Sequence, residues 1–291
     1  MEMKKLLITL ILTCFALPGG FTLGNSTSTP QIILTPSRVI QGEPVKVTFE
    51  NTKISNIKSL TYDGKKIGVL LYQNIPTALI GVDLYKKPGD YKIIAKLSNG
   101  QNLQAILSVS ARKKIETAMA VPDQLGGNSP ANQTKVVAQL VNENTILADF
   151  YTGTKAFWTA KFNWPILNVN VTDDYGYTRI TGDYDIAHKG VDLQAEMGTK
   201  VRAMNRGVVR IAEQFPTYGK TIVVDHGLGL STFYMHLSKI YVEPGQLVLP
   251  GQLIGLSGNT GYSTAPHLHI TVRINQVSID PVKFMKLFTR L

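Results

Sequence analysis

Apolar and polar positions change rhythm twice along this chain after an apolar N-terminal run. From Gln31 to Arg112, short alternating runs such as Val45-Lys46-Val47-Thr48-Phe49 and Tyr91-Lys92-Ile93-Ile94-Ala95 are separated by turn residues. A period of two sends successive side chains to opposite faces of a strand, so these runs predict half-buried β-strands. Tyr62-Asp63-Gly64-Lys65 and Ser98-Asn99-Gly100-Gln101 are hairpin signals, because Asp-Gly and Asn-Gly tolerate positive φ at both central positions. Short strands with regular turns predict a β-sandwich over 31–112. Residues 113–160 read as a connector. Past the loop Gly126-Gly127-Asn128-Ser129-Pro130, the positions Val136, Val137, Leu140, Val141 and Leu147 recur at helical spacing, with Asn132 or Thr134 as the expected cap. From 161 to 291 the pattern returns to β runs (201–211, 221–224, 232–234, 253–256 and 267–274), punctuated by glycine. The expected class is mainly β: a sandwich, a helical connector and an all-β C-terminal domain.

The first residues read differently. Lys4 and Lys5 precede the apolar run from Leu6 to Leu17, and Pro18-Gly19-Gly20 breaks it before small residues at Thr22 and Gly24. A basic start, an apolar stretch and small residues ahead of a polar segment describe a secretory signal peptide over 1–24, cleaved near Gly24. Asn25 to Pro30 would then be a polar linker. The run falls short of the roughly 20 residues that span a bilayer, so no spanning segment is expected after cleavage, and the protein is expected to be exported to the periplasm, envelope or medium. The chain's single cysteine, Cys14, lies inside this segment. A processed chain therefore offers neither a disulfide nor a thiolate ligand, and any metal must be held by imidazole and carboxylate.

Charge changes the picture little. The chain has 30 basic and 20 acidic residues and a formal net charge of +10, with the excess spread mainly through the N-terminal half. There is no basic stripe interleaved with aromatics and no recognition motif, so no nucleic-acid partner is expected. A diffuse basic surface suits a polyanionic wall or membrane surface.

The histidines change it most. All five fall between 188 and 269. His188 and Asp192 stand four residues apart, and in a strand positions i and i+4 share a face; Gly190 and Val191 favour a strand there. His267-Leu268-His269 repeats the arrangement with period two, so both imidazoles project to one face and Leu268 to the core. Two histidines and an aspartate are good zinc ligands, and three protein ligands leave a fourth position open for water, as hydrolysis requires. Each element alone is a weak signal, and spacing does not decide which member of the His-x-His pair would bind the metal.

Five stretches then carry a specific resemblance: Ile186-Ala187-His188-Lys189-Gly190-Val191-Asp192-Leu193, Asp225-His226-Gly227-Leu228-Gly229, Tyr234-Met235-His236-Leu237-Ser238, Gly251-Gln252-Leu253-Ile254-Gly255, and Gly258-Asn259-Thr260-Gly261 leading to Ala265-Pro266-His267-Leu268-His269. In order and spacing they resemble the catalytic domain of the M23 zinc metallopeptidases, the lysostaphin-type wall endopeptidases. Ala265 departs from the glycine common in that family and touches no ligand. The resemblance implies one zinc ion per chain held by His188, Asp192 and His269, with His236 and His267 as catalytic histidines and a structural or rim role for His226. It implies a secreted metalloendopeptidase cutting peptide cross-links of bacterial peptidoglycan, in a stem peptide or a bridge. The sandwich and connector, with Ala78 to Asp83 and Lys87-Pro88-Gly89-Asp90-Tyr91, resemble more loosely the Ig-like accessory domain that precedes many such peptidases. A non-catalytic wall-binding regulator of a separate amidase is the alternative on the same fold; members of that kind lack one or more of the five positions, all of which are filled here.

Overall fold

The computed structural model describes residues 29–158 and 160–288. The expected signal peptide, its cleavage site, Cys14 and most of the polar linker lie outside the described residues. Two sheets form the N-terminal part. One runs in the order Leu70–Tyr72, Ile75–Gly81, Pro44–Glu50, Gln31–Thr35, and the other Lys65–Ile67, Ile57–Tyr62, Gly89–Leu97, Asn102–Ser110, Arg38–Ile40. Alternation dictates the packing: Val45, Val47, Phe49, Leu60, Ala78, Ile80, Ile93, Ala95 and Leu107 all point into one shared core. Asp63 and Gly64 both take positive φ, at 52° and 73°, and join two paired strands, as the Asp-Gly signal requires. At Asn99-Gly100 only the glycine does so. That connection is longer, and Asn99 instead accepts a hydrogen bond from the Gln101 N–H through its side chain.

The C-terminal part is built on an antiparallel sheet in the order Val171–Asp173, Val191–Gln194, His267–Ile274, Leu230–Leu237, Gly219–Gly227, Gly207–Phe215, Leu247–Val248. Along His267–Ile274, Leu268, Ile270, Val272 and Ile274 face the main core, while His267, His269, Thr271 and Arg273 face the other way. Burying each of those aliphatic side chains contributes about 1.5–3 kcal/mol, so a register slip would take the apolar row out of this core and turn the polar row into it.

Between the two parts, the helix Pro130–Ile146 packs over the polar-bearing face of this sheet. Its cap is Ser129, whose hydroxyl accepts from the Asn132 N–H, rather than Asn132 or Thr134. Asn132 is committed elsewhere, since its side-chain amide donates to the Gly126 carbonyl. Val136 and Leu140 bury against Tyr218, Tyr262 and Ile186, and Leu147 against Phe233 and Met235, while Val141 stays exposed. Ahead of the helix, the short strand Glu116–Ala118 pairs in parallel with Thr178–Thr181, which also pairs with Tyr184–Ala187. No helix among the described residues is long and apolar enough to cross a membrane.

Candidate metal centre

His188, Asp192 and His269 converge on one point, with ligand atoms all within 4.8 Å of one another. His188 Nε2 lies 3.2 Å from Asp192 Oδ1 and 3.1 Å from His269 Nδ1, which is itself 2.6 Å from Asp192 Oδ1. Asp192 and His269 sit opposite each other on paired strands, which fixes that half of the cluster by register. His188 arrives differently from the expectation. It does not share a strand with Asp192; the strand Tyr184–Ala187 ends just before it and a bend at 188–190 precedes Val191–Gln194. Gly190 permits the bend's close packing, because a Cβ there would run into the His269 ring and the Ile270 carbonyl.

The outer hydrogen bonds assign the protons. His188 Nδ1–H donates to the Asp174 carbonyl at 2.8 Å, so Nε2 carries the lone pair. The Thr271 hydroxyl donates to the Lys189 carbonyl and thus accepts from His269 Nε2–H at 3.0 Å, which leaves the lone pair on Nδ1. Three electron-pair donors therefore face one another with no proton between them. Among side chains only 3–6% exposed, that arrangement is repulsive without a cation and fits a divalent ion. Burial pushes His269 down to about 4, so its imidazole is neutral at neutral pH.

Two more imidazoles border the cluster. His267 Nδ1–H donates to the Ala265 carbonyl at 2.9 Å, with the Ser263 hydroxyl at 3.1 Å. Its Nε2 is buried without a hydrogen-bond partner and lies 3.6 Å from Asp192 Oδ1. His236 is brought round by a β-bulge. Two residues, Met235 and His236, stand opposite Thr221, and His236 takes φ 59°. Regular alternation would send His236 to the face opposite Met235; the bulge returns it, so that its ring lies 4.9 Å from that of His267 and 5.9 Å from that of His269. Its Nδ1–H donates to the Thr260 carbonyl at 2.8 Å, and burial, reinforced by His267 and His269, holds it well below the usual imidazole range. Beside His267 and Asp192 opens a cavity of about 420 Å³, walled by Thr117–Ala120 and Tyr262–Pro266. It meets at Gln194 a wider depression of about 850 Å³ under Ile166–Asn170.

With this geometry in view, residues 186–281 match the family model described as Peptidase family M23. That segment is an M23 peptidase segment. A crystal structure described as peptidase M23 from Pseudomonas aeruginosa superposes with a TM-score of 0.63 at 25% identity, covering 84% of this chain and 94% of that one. The likeness thus extends well beyond the M23 segment. A metalloprotease of Haemophilus influenzae is 46% identical over 96 residues, 33% of this chain and 20% of its own length. The Vibrio cholerae protein named peptidoglycan DD-endopeptidase ShyA is 43% identical over 96 residues, 33% of this chain and 22% of its own. The chain therefore spans about a fifth of the length of these curated relatives.

The remaining histidine of the M23 segment stands apart from the cluster. His226 is fully buried between the Arg206 carbonyl (2.8 Å) and the Thr232 hydroxyl (2.9 Å), and packs edge-on against Phe162. Several neighbours of the cluster escaped the sequence analysis. Thr271 continues the period-two row from His267 and His269 and was open to discovery on that ground. Arg179, whose Nη2 donates to Asp192 Oδ2 at 2.5 Å, gave no signal, since only the fold-back of the hairpin before His188 brings it there.

Proposed function

We propose that this protein is an exported zinc metalloendopeptidase that hydrolyses peptide cross-links of bacterial peptidoglycan. The observation that carries the reading is the convergence of three unprotonated donor atoms beside the unpartnered Nε2 of His267. His188, Asp192 and His269 would hold the ion, and two imidazoles with one carboxylate suit zinc. When bound, zinc supplies Lewis acidity, which lowers the pKa of water and polarises a carbonyl. The chain's own groups handle the protons. His267, whose Nε2 lone pair is free, accepts a proton as water adds to the peptide carbonyl carbon. His236, whose Nδ1–H is fixed by the Thr260 carbonyl, presents an Nε2 lone pair that can take the same proton and, once protonated, donate to the developing oxyanion. As the C–N bond breaks, that proton passes to the leaving amine, which departs neutral, and the new carboxylic acid gives up the second proton of the water to solvent, leaving a carboxylate.

The substrate class follows from kinship: the relative ShyA is named a peptidoglycan DD-endopeptidase. Export rests on the signal-like N-terminus, and the cavity lined by Asp192 and His267 leaves the cluster open to a peptide from that side. The test is to measure zinc in the purified full chain and the soluble fragments it releases from purified peptidoglycan, with His188→Ala and His267→Ala alongside. Wild type should hold zinc and release fragments, His188→Ala should lose both, and His267→Ala should keep zinc and lose release. Wild type that takes up no zinc and releases nothing would overturn the reading.

A further inference from the structure

Asp192 has two carboxylate oxygens, and they live in different surroundings. Oδ1 faces His269 Nδ1 at 2.6 Å, His188 Nε2 at 3.2 Å and His267 Nε2 at 3.6 Å. Oδ2 faces Arg179 Nη2 at 2.5 Å, and both side chains are buried, at 12% and 5% exposed. Among the described residues Arg179 is the only Lys or Arg paired with Asp192. It is also held from several sides. Its Nε–H donates to the Tyr177 hydroxyl at 3.3 Å, its Nη2 reaches Asp173 Oδ2 at 3.5 Å, and its guanidinium lies over the Tyr177 ring. Its backbone sits in the middle strand of three, opposite Thr117 on one side and Ile186 on the other. Nothing about this placement is adaptable.

A carboxylate can meet a metal through one oxygen or through both. An oxygen that already accepts a charge-assisted hydrogen bond at this distance has one of its two lone pairs committed and its charge drawn toward the donor, which makes it the poorer ligand of the two. We propose that Arg179 is a positioning residue that confines Asp192 to one-oxygen ligation, so that the two histidines and Oδ1 make a three-donor site and the remaining positions stay available to water and to a substrate carbonyl. If Oδ2 were released, it shares its carbon with Oδ1 and would take up one of those positions. The hairpin before His188 thus sets the number of open positions without touching the ion. The connector strand Glu116–Ala118, by fixing that hairpin's edge, takes part in the same control.

The proposal rests on the metal reading above, and cobalt separates the two. Co²⁺ is added to the full chain after removal of bound metal, and its visible absorption is recorded, since four-coordinate cobalt absorbs several-fold more strongly than five-coordinate. Wild type should give the intense spectrum, Arg179→Gln the weak one, and Arg179→Lys, which keeps a cationic donor, a spectrum near wild type. Should the Gln variant fail to fold by circular dichroism, Arg179→Met, which keeps the buried stem, carries the same comparison. Cobalt bound by wild type and by the Gln or Met variant with identical intensity would overturn the role of Arg179 and leave the metal site standing. A wild-type chain that binds no cobalt at all would overturn the metal reading itself.

Discussion

His267 is the side chain on which the hydrolytic reading leans most, because it is the one imidazole with a buried nitrogen that nothing satisfies. General acid–base groups contribute roughly 10²- to 10⁴-fold, so His267→Ala should lower kcat by about that factor on a peptide substrate while metal content stays at the wild-type level. Equal loss of metal would assign the residue to binding instead. His226 tests a different property. Burial pushes its pKa down to about 4, against about 6.5 in the unfolded chain. Between those values the unfolded state takes up a proton that the folded state refuses, so stability is intact above about pH 6.5 and falls as pH drops toward 4, by up to roughly 1.4 kcal/mol per unit. Thermal melts of the metal-free chain across that window should show a slope to which His236 and His269, also pushed down by burial, contribute, and His226→Gln should reduce it by the His226 share. Gly190 makes a third prediction: Gly190→Ala should displace His269 and weaken metal binding, read by competition with a chromophoric chelator. Unchanged metal affinity there would contradict the packing argument.

At the scale of elements, the helix Pro130–Ile146 is more than a bridge. Glu143, in its last turn and 2% exposed, accepts hydrogen bonds from the Thr217 N–H at 2.8 Å, the Tyr218 N–H at 2.9 Å and the Thr217 hydroxyl. That turn in turn receives the His236 N–H at the Tyr218 carbonyl. Hydrogen bonds to a charged group contribute about 1.5–3 kcal/mol each, and Glu143→Ala would strand two buried N–H groups. The variant should therefore lose on the order of 3 kcal/mol or more in urea unfolding, with Glu143→Gln retaining part of it; a loss below about 1 kcal/mol would contradict the bonding described. The helix itself was legible from its apolar spacing, but Glu143 read as an ordinary polar position because its partners lie 74 and 75 residues away. The same distinction runs through the site. His267 and His269 share a face by local alternation, so their pairing can be read from the chain. His188 and Asp192 come together through a bend that alternation does not describe. His236 reaches its place by a bulge, and Arg179 by a hairpin, neither of which leaves a periodic trace.

At the scale of the molecule, the N-terminal sandwich is tied to the M23 segment by polar contacts around the last helix, Pro281–Lys286. Lys283 pairs with Glu43 at 3.0 Å, Asp280 N–H donates to the Gly42 carbonyl, and Arg112 approaches Asp280 at 3.6 Å. Tyr72 and Leu79 share the core of the C-terminal part. The mainly β class was evident from periodicity, whereas this docking was not, because it joins residues at opposite ends of the chain. A cation bound only by the folded protein stabilises it by mass action, about 4 kcal/mol at a free concentration of 1,000 Kd. Removing metal should therefore lower the melting temperature along with any hydrolysis, and zinc should restore both. The most direct test of the central claim is the zinc content of the purified full chain after dialysis against zinc, beside that of His188→Ala. One zinc per wild-type chain and none in the variant is the expected result; a wild-type chain without zinc, or a variant that retains it, would contradict the site built from His188, Asp192 and His269.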